Sequence, residues 1–136
     1  MTPTTEVSDL TELISPTGFA ATLDGVVRTI ERAGLKIFFQ VDHAAAASAA
    51  GLAMPPTTVV FYGKPEGGTP IMLATPNAAL DLPLRVLVRE QSADRTIVAF
   101  HPIASTLARA GAPEATWHRL EPAQRLLVDA FPGFAS

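Results

Sequence analysis

The sequence predicts an α+β fold: a mainly antiparallel sheet in a β-α-β4-α plan, with its helices gathered on one face. Three observations predict it. One segment spaces its apolar residues at helical intervals; several short segments are β-branched or alternate with period two; and most of these follow one another through short turns, which suits antiparallel neighbours better than parallel crossovers. At 136 residues and 48% hydrophobic content the chain fits one domain, residues 1–136, with residues 1–9 expected to be a flexible N-terminus.

Taken in order, residues 10–14 read as a short strand. Phe19, Leu23, Val26, Val27 and Ile30 then form one apolar stripe facing the sheet, opposite Asp24, Arg28, Glu31 and Arg32. Ser15-Pro16 suits an N-cap followed by proline at the first helical position, and Gly34 suits the residue just past the helix end. Leu35, Ile37, Phe39 and Val41 alternate with Lys36, Phe38, Gln40 and Asp42 as in a half-buried strand, which leaves Phe38 oddly on the polar face.

Residues 44–63 carry no charge for twenty positions, the length of a membrane span. Pro55-Pro56 interrupts them, so they read as a short helix at 44–50 closed by Gly51, a turn, and a strand at 58–62. Residues 67–80, broken by Pro70 and Pro76, read as short helical turns on a long connection. Strands at 84–90 and 96–100 form a hairpin through Ser92-Ala93-Asp94. A helix at 103–110 follows Pro102, and a last one after Pro122 carries Leu126, Leu127, Ala130 and Phe131.

Charge and composition narrow the function classes. Thirteen acidic against ten basic residues give a net charge of −3, so nucleic acid and membrane surfaces are not expected partners. Zero cysteines remove disulfides, thiolate zinc sites, iron–sulfur clusters and cysteine nucleophiles. The polar N-terminus lacks the pattern of a signal peptide, which points to the cytoplasm. No cofactor is expected, because no dinucleotide-binding, hydrolase-elbow or phosphate-loop motif occurs.

Four sets of residues could carry chemistry. Asp42-His43 stands where a strand meets a helix: Asp42 suits the cap of the 44–50 helix with His43 partly exposed, or the two could act as an acid–base pair. In Tyr62-Gly-Lys-Pro-Glu-Gly-Gly-Thr-Pro70, Lys64 precedes the glycine pair, unlike the lysine of a phosphate loop. Gly67, Gly68 and Thr69 could still form a backbone anion nest, or simply a turn. Arg85 could clamp a carboxylate or phosphate, or be a solvated strand residue paired with an acid. His43, His101 and His118 have no metalloprotease spacing, and a meander would point the strand ends at His43 and His101 opposite ways, so no metal site is expected. Trp117 and Phe38 are the exposed-aromatic suspects.

The segments Ile37-Phe-Phe-Gln-Val-Asp-His-Ala44, Val59-Val-Phe-Tyr-Gly-Lys-Pro65, Gly68-Thr-Pro-Ile-Met72 and Ala79-Leu-Asp-Leu-Pro-Leu-Arg-Val-Leu-Val88 resemble the domain of unknown function 302 family. The resemblance covers roughly residues 10 to 110 and rests on the combination and order of the motifs. It implies a TATA-binding-protein-like antiparallel sheet and a homodimer, with no established reaction and no implication of DNA binding.

The sequence thus leads to a homodimeric, non-catalytic small-ligand-binding or accessory module. An apolar or anionic ligand is expected between helix and sheet, in a cavity lined by Phe19, Phe38, Phe61 or Met72, with Asp42, His43, Gly68, Thr69 and Arg85 as candidate binding residues. An enzyme using Asp42 and His43 with Arg85 as anion clamp is the alternative, and it requires His43 and Arg85 to open onto one pocket. A structural or partner-binding subunit, with an apolar patch and no cavity, is the third reading.

Overall fold

A computed structural model describes residues 9–134; most of the expected flexible N-terminus therefore lies outside the described residues. The elements are β1 (Thr11–Ser15), α1 (Phe19–Arg32), β2 (Lys36–Asp42), α2 (His43–Ala49), β3 (Thr57–Gly63), α3 (Pro65–Ala74), a 3-10 turn (Pro76–Asp81), β4 (Leu84–Ser92), β5 (Arg95–Phe100), α4 (Ile103–Arg109), α5 (Glu114–Trp117), α6 (Glu121–Ala130) and β6 (Gly133–Phe134). The sheet order is β2-β3-β4-β5-β1-β6, antiparallel throughout: β2 to β5 form a meander and β1 returns beside β5. This is the α+β arrangement expected from the sequence.

One face of the sheet makes the core. Leu13, Val60, Tyr62, Val86, Val88 and Val98 pack there against Val26 and Ile30 of α1, Ile71 of α3, Leu107 of α4 and Leu127 of α6. Tyr62 is fully buried and its hydroxyl donates to the Ala123 carbonyl at 2.9 Å, tying the middle of the sheet to α6. Burial pushes this phenol well above its ordinary pKa, so it stays protonated and a donor. Gln124 makes a second tie: its amide accepts from Ile103 N–H at 2.8 Å and donates to the His101 carbonyl at 2.9 Å.

Several local expectations need correction. Ser15 does not cap α1, which starts at Phe19 with Gly18 as N-cap. Ser15 ends β1 opposite Thr96, and its hydroxyl joins those of Thr17 and Thr22 in a cluster with 2.8–2.9 Å contacts. The buried centre of α1 is Thr22, Val26 and Ile30, while Val27 is half-buried and outside the core cluster. Residues 65–74 form a continuous helix where only short turns were expected, despite Pro70 inside it. Trp117 is half-buried against the core, not an exposed aromatic.

The strand alternation also breaks. Ile37 pairs with Tyr62 but Phe39 pairs with Phe61, so Phe38 is the extra residue of a β-bulge. Beyond the bulge the parity flips: Phe39 and Val41 turn to the face opposite the core, beside Phe61 and Val59. The Phe39 and Phe61 rings stack 4.4 Å apart. Farther along this face, Arg89 and Glu12 form a 3.5 Å ion pair across β5, whose Ile97 and Ala99 are buried between them.

Two helix ends follow the sequence reading closely. Gly34 (φ 78°) and Gly51 (φ 80°) sit just past α1 and α2 in the left-handed region. The next residues, Leu35 and Leu52, donate back to Ile30 and Ala47 at 3.3 and 2.8 Å. Asp42 Oδ1 accepts from Ala45 N–H at 2.8 Å, and α2 buries none of its residues, so this short alanine helix leans on its two caps.

Tyr62→Phe should remove the side-chain tie to the Ala123 carbonyl, which keeps its partner within α6, and cost about 0.5–1.5 kcal/mol, read from the urea midpoint. Asp42→Ala should cost about 0.5–2 kcal/mol by the same measurement, while His43→Ala, at an exposed position, should leave the midpoint unchanged.

Candidate functional site

Two clefts lie where β3 and β5 end and β4 begins. The first is apolar and about 230 Å³ in volume, lined by Phe38, Gly63, Lys64, Pro65, Gly68, Met72, Leu82, Pro83, Leu84 and Leu120. Its construction follows from the chain. The β2 bulge frees Phe38 from the sheet parity, and its ring closes one side against the backbone of Gly63: a Cβ there would sit 3.7 Å from the ring edge. α3 starts directly after β3 and lays Gly68 and Met72, one turn apart, along the opposite wall.

The charge at this cleft is one-sided. The sequence has only two lysines, Lys36 and Lys64. Lys64 lines the cleft, and Lys36, paired with Gly63 across the strands, holds its ammonium 5.2 Å from the centre of the Phe38 ring. The arrangement can take an apolar body between Phe38, Met72 and Leu82 and meet a negative group at the rim.

The second cleft is smaller, about 120 Å³, and polar. Asp81, Leu84, Arg85, His101, Ile103, Thr106, Arg109 and Gln124 line it. His101 Nδ1 lies 3.1 Å from Asp9 Oδ1, and Arg109 Nη1 lies 4.0 Å from Asp9 Oδ2. The hydrogen bond from His101, helped by one from Ser105 and by the positive charge of Arg109, holds the Asp9 carboxyl below its ordinary pKa.

The sequence-predicted residues divide among these places. Gly68 lines the apolar cleft, and Phe38 and Met72 of the expected cavity lining are there with it. Phe61 is on the other sheet face under Phe39, and Phe19 packs against the core. Gly67, Gly68 and Thr69 form no anion nest, because they lie inside α3, where the N–H groups of Gly67 and Gly68 both donate to the Lys64 carbonyl (2.9 and 3.1 Å). Thr69 is exposed.

Arg85 lines the polar cleft, with its guanidinium 5.2 Å from the centre of the Phe61 ring and no carboxylate partner among the described residues. Asp42 and His43 are not brought to it. Asp42 is in register with Thr58 and Val88 on the core-face parity, whereas Arg85 is in register with Phe61 on the opposite face, and His43 lines neither cleft. The acid–base reading with Arg85 as clamp thus loses the shared pocket it requires. Sequence reasoning missed Lys36, which lies by Phe38 of the apolar cleft, and Asp9, Asp81 and Arg109, which lie at or beside the polar one; they share no local motif and reach these places only through the fold.

Three comparisons place this geometry among known proteins. A family model described as "Domain of unknown function DUF302" matches residues 11–130. Fluoride-specific ion channel FluC 1 of Brucella suis biovar 1, FluC 1 of Brucella abortus biovar 1 and FluC 2 of Brucella melitensis biotype 1 are each 35% identical over 88 residues. That stretch is 65% of this chain but only 33–35% of those proteins, so the chain spans about a third of the length of the curated relatives it matches. Among the described residues no helix is long and apolar enough to cross a membrane. An uncharacterized conserved DUF302 protein from Bacillus stearothermophilus superposes with a TM-score of 0.78 at 12% identity, covering 93% of this chain and 98% of that one, which shows a shared fold. With the family model spanning β1 to α6, the chain belongs to the DUF302 family.

Proposed function

We propose that this protein is a non-catalytic binding module of the cytoplasm that holds a small amphipathic anion in its apolar cleft. One observation carries the reading: a cavity walled by Phe38, Met72, Leu82 and Leu84 is lined by Lys64, and the second lysine of the chain, Lys36, lies against the ring of its Phe38 wall. An aliphatic body leaves water against these side chains, gaining about 0.8 kcal/mol per buried methylene, while its carboxylate keeps its charge beside Lys64.

The module acts as a homodimer. Phe39 is 52% exposed on the sheet face opposite the core, beside Val41, Val59 and Phe61. A second copy laid on the β2–β3 half of this face would bury that apolar surface, whereas the Arg89–Glu12 pair keeps the β5 half polar. A second reading, an accessory module working beside an anion channel, draws on the likeness to a segment of the fluoride-specific ion channels. It expects sodium fluoride, and not sodium chloride, to raise the melting temperature.

Gly68→Leu tests the binding site. A Cβ at Gly68 would stand 3.7 Å from Leu82 Cδ1 and 3.9 Å from Met72 Cε, so a leucine there grows into the cleft without a clash at its root. Replacing a helical glycine should also raise stability by up to about 0.8 kcal/mol. Calorimetric titration with octanoate should show saturable binding to the wild type and none to this stable variant. Equal binding by both, or none by the wild type, removes the reading. For the dimer, Phe39→Glu should convert a sedimenting dimer to a monomer; a wild-type monomer at micromolar concentration removes it.

A further inference from the structure

The polar cleft holds charges that the chain leaves unused. Asp9 is committed to His101 and Arg109, and the Gln124 amide is spent on the His101 carbonyl and the Ile103 N–H. Arg85 and Asp81 line the same cleft, yet among the described residues neither has an ion-pair partner within 4 Å, including each other. Arg85, an exposed residue, lies over the Phe61 ring, a contact made through the guanidinium's face that leaves its in-plane N–H donors open to a ligand. Arg109, 4.0 Å from Asp9, is a second cation on the wall.

We infer that this cleft is a binding site for a small zwitterion of the amino-acid type, its carboxylate between Arg85 and Arg109 and its ammonium at Asp81. Charge decides the class. A bare anion would meet Asp81 as well as Arg85, and a bare amine the reverse; a molecule carrying both signs offers each its complement. Size decides the scale, because 120 Å³ is well below the roughly 300–1,000 Å³ of drug-sized pockets, leaving room for few heavy atoms beyond the two charged groups. This cleft adjoins the apolar one, sharing Leu84 as a wall, but Asp81, Arg85 and Arg109 line the polar cleft and not the apolar one.

The test is calorimetric titration with L-alanine and with acetate, on variants whose cooperative melting shows them folded. The wild type should bind L-alanine saturably and acetate at least about tenfold more weakly. Asp81→Asn should move the two probes in opposite directions, weakening L-alanine and tightening acetate, since it removes the ammonium's partner and the acetate's repulsion together. Arg85→Gln should weaken both by about tenfold or more. Arg89→Gln, on the same strand and face but paired with Glu12 and outside the cleft, should change neither. Equal affinity for the two probes, parallel shifts in Asp81→Asn, equal effects of the two arginine variants, or no saturable binding of L-alanine would each overturn the inference.

Discussion

Covering a single face of an antiparallel sheet is the constraint on which the rest depends. With the helices of the core on one side, every second strand residue must be apolar, and the helices must deliver Val26, Ile30, Ile71, Leu107 and Leu127 to that side. Tyr62 fixes the distance between the layers, because its hydroxyl reaches the α6 backbone only when sheet and helix are fully packed. The other face is managed by side-chain contacts among the described residues. The chain does so with an ion pair over β5 and stacked rings over β2 and β3.

The two ends of the sheet have different tasks. Where β2 runs into α2 and β1 into α1, polar side chains serve the backbone: Asp42 caps a helix, and Ser15, Thr17 and Thr22 satisfy one another. Where β3 runs into α3 and β5 into α4, strands of unequal length leave gaps, and the two clefts occupy them. A meander brings these connections to the same end, so a pocket there draws its walls from segments far apart in sequence.

That separation sets how much was legible in the sequence. The stripe of α1, the period of β4 and the glycines at helix ends are local patterns, and the structure follows them. The cap by Asp42 was legible for the same reason: it involves residues three apart. The bulge at Phe38 was visible only as an apolar residue out of phase, because the extra residue shows itself in the register with β3 and not in β2 alone. The helix at 65–74 was hidden by Gly67, Gly68 and Pro70, whose weak propensity is overridden by packing of Ile71 into the core. Lys36 with Lys64, and Asp81 with Arg109, are juxtapositions of fold, so no window along the chain contains them.

Lys64 on the apolar cleft and Lys36 against the ring of its Phe38 wall give the molecule a chemical address. Reagents that acylate primary amines find side-chain targets nowhere else in the 136 residues. A tag, spin label or cross-linker of that chemistry therefore attaches, among side chains, only at these two positions without any engineered cysteine, in a chain that has no thiol to compete. Mass shifts at the two amines become a direct report on whether that opening is occupied inside a cell extract.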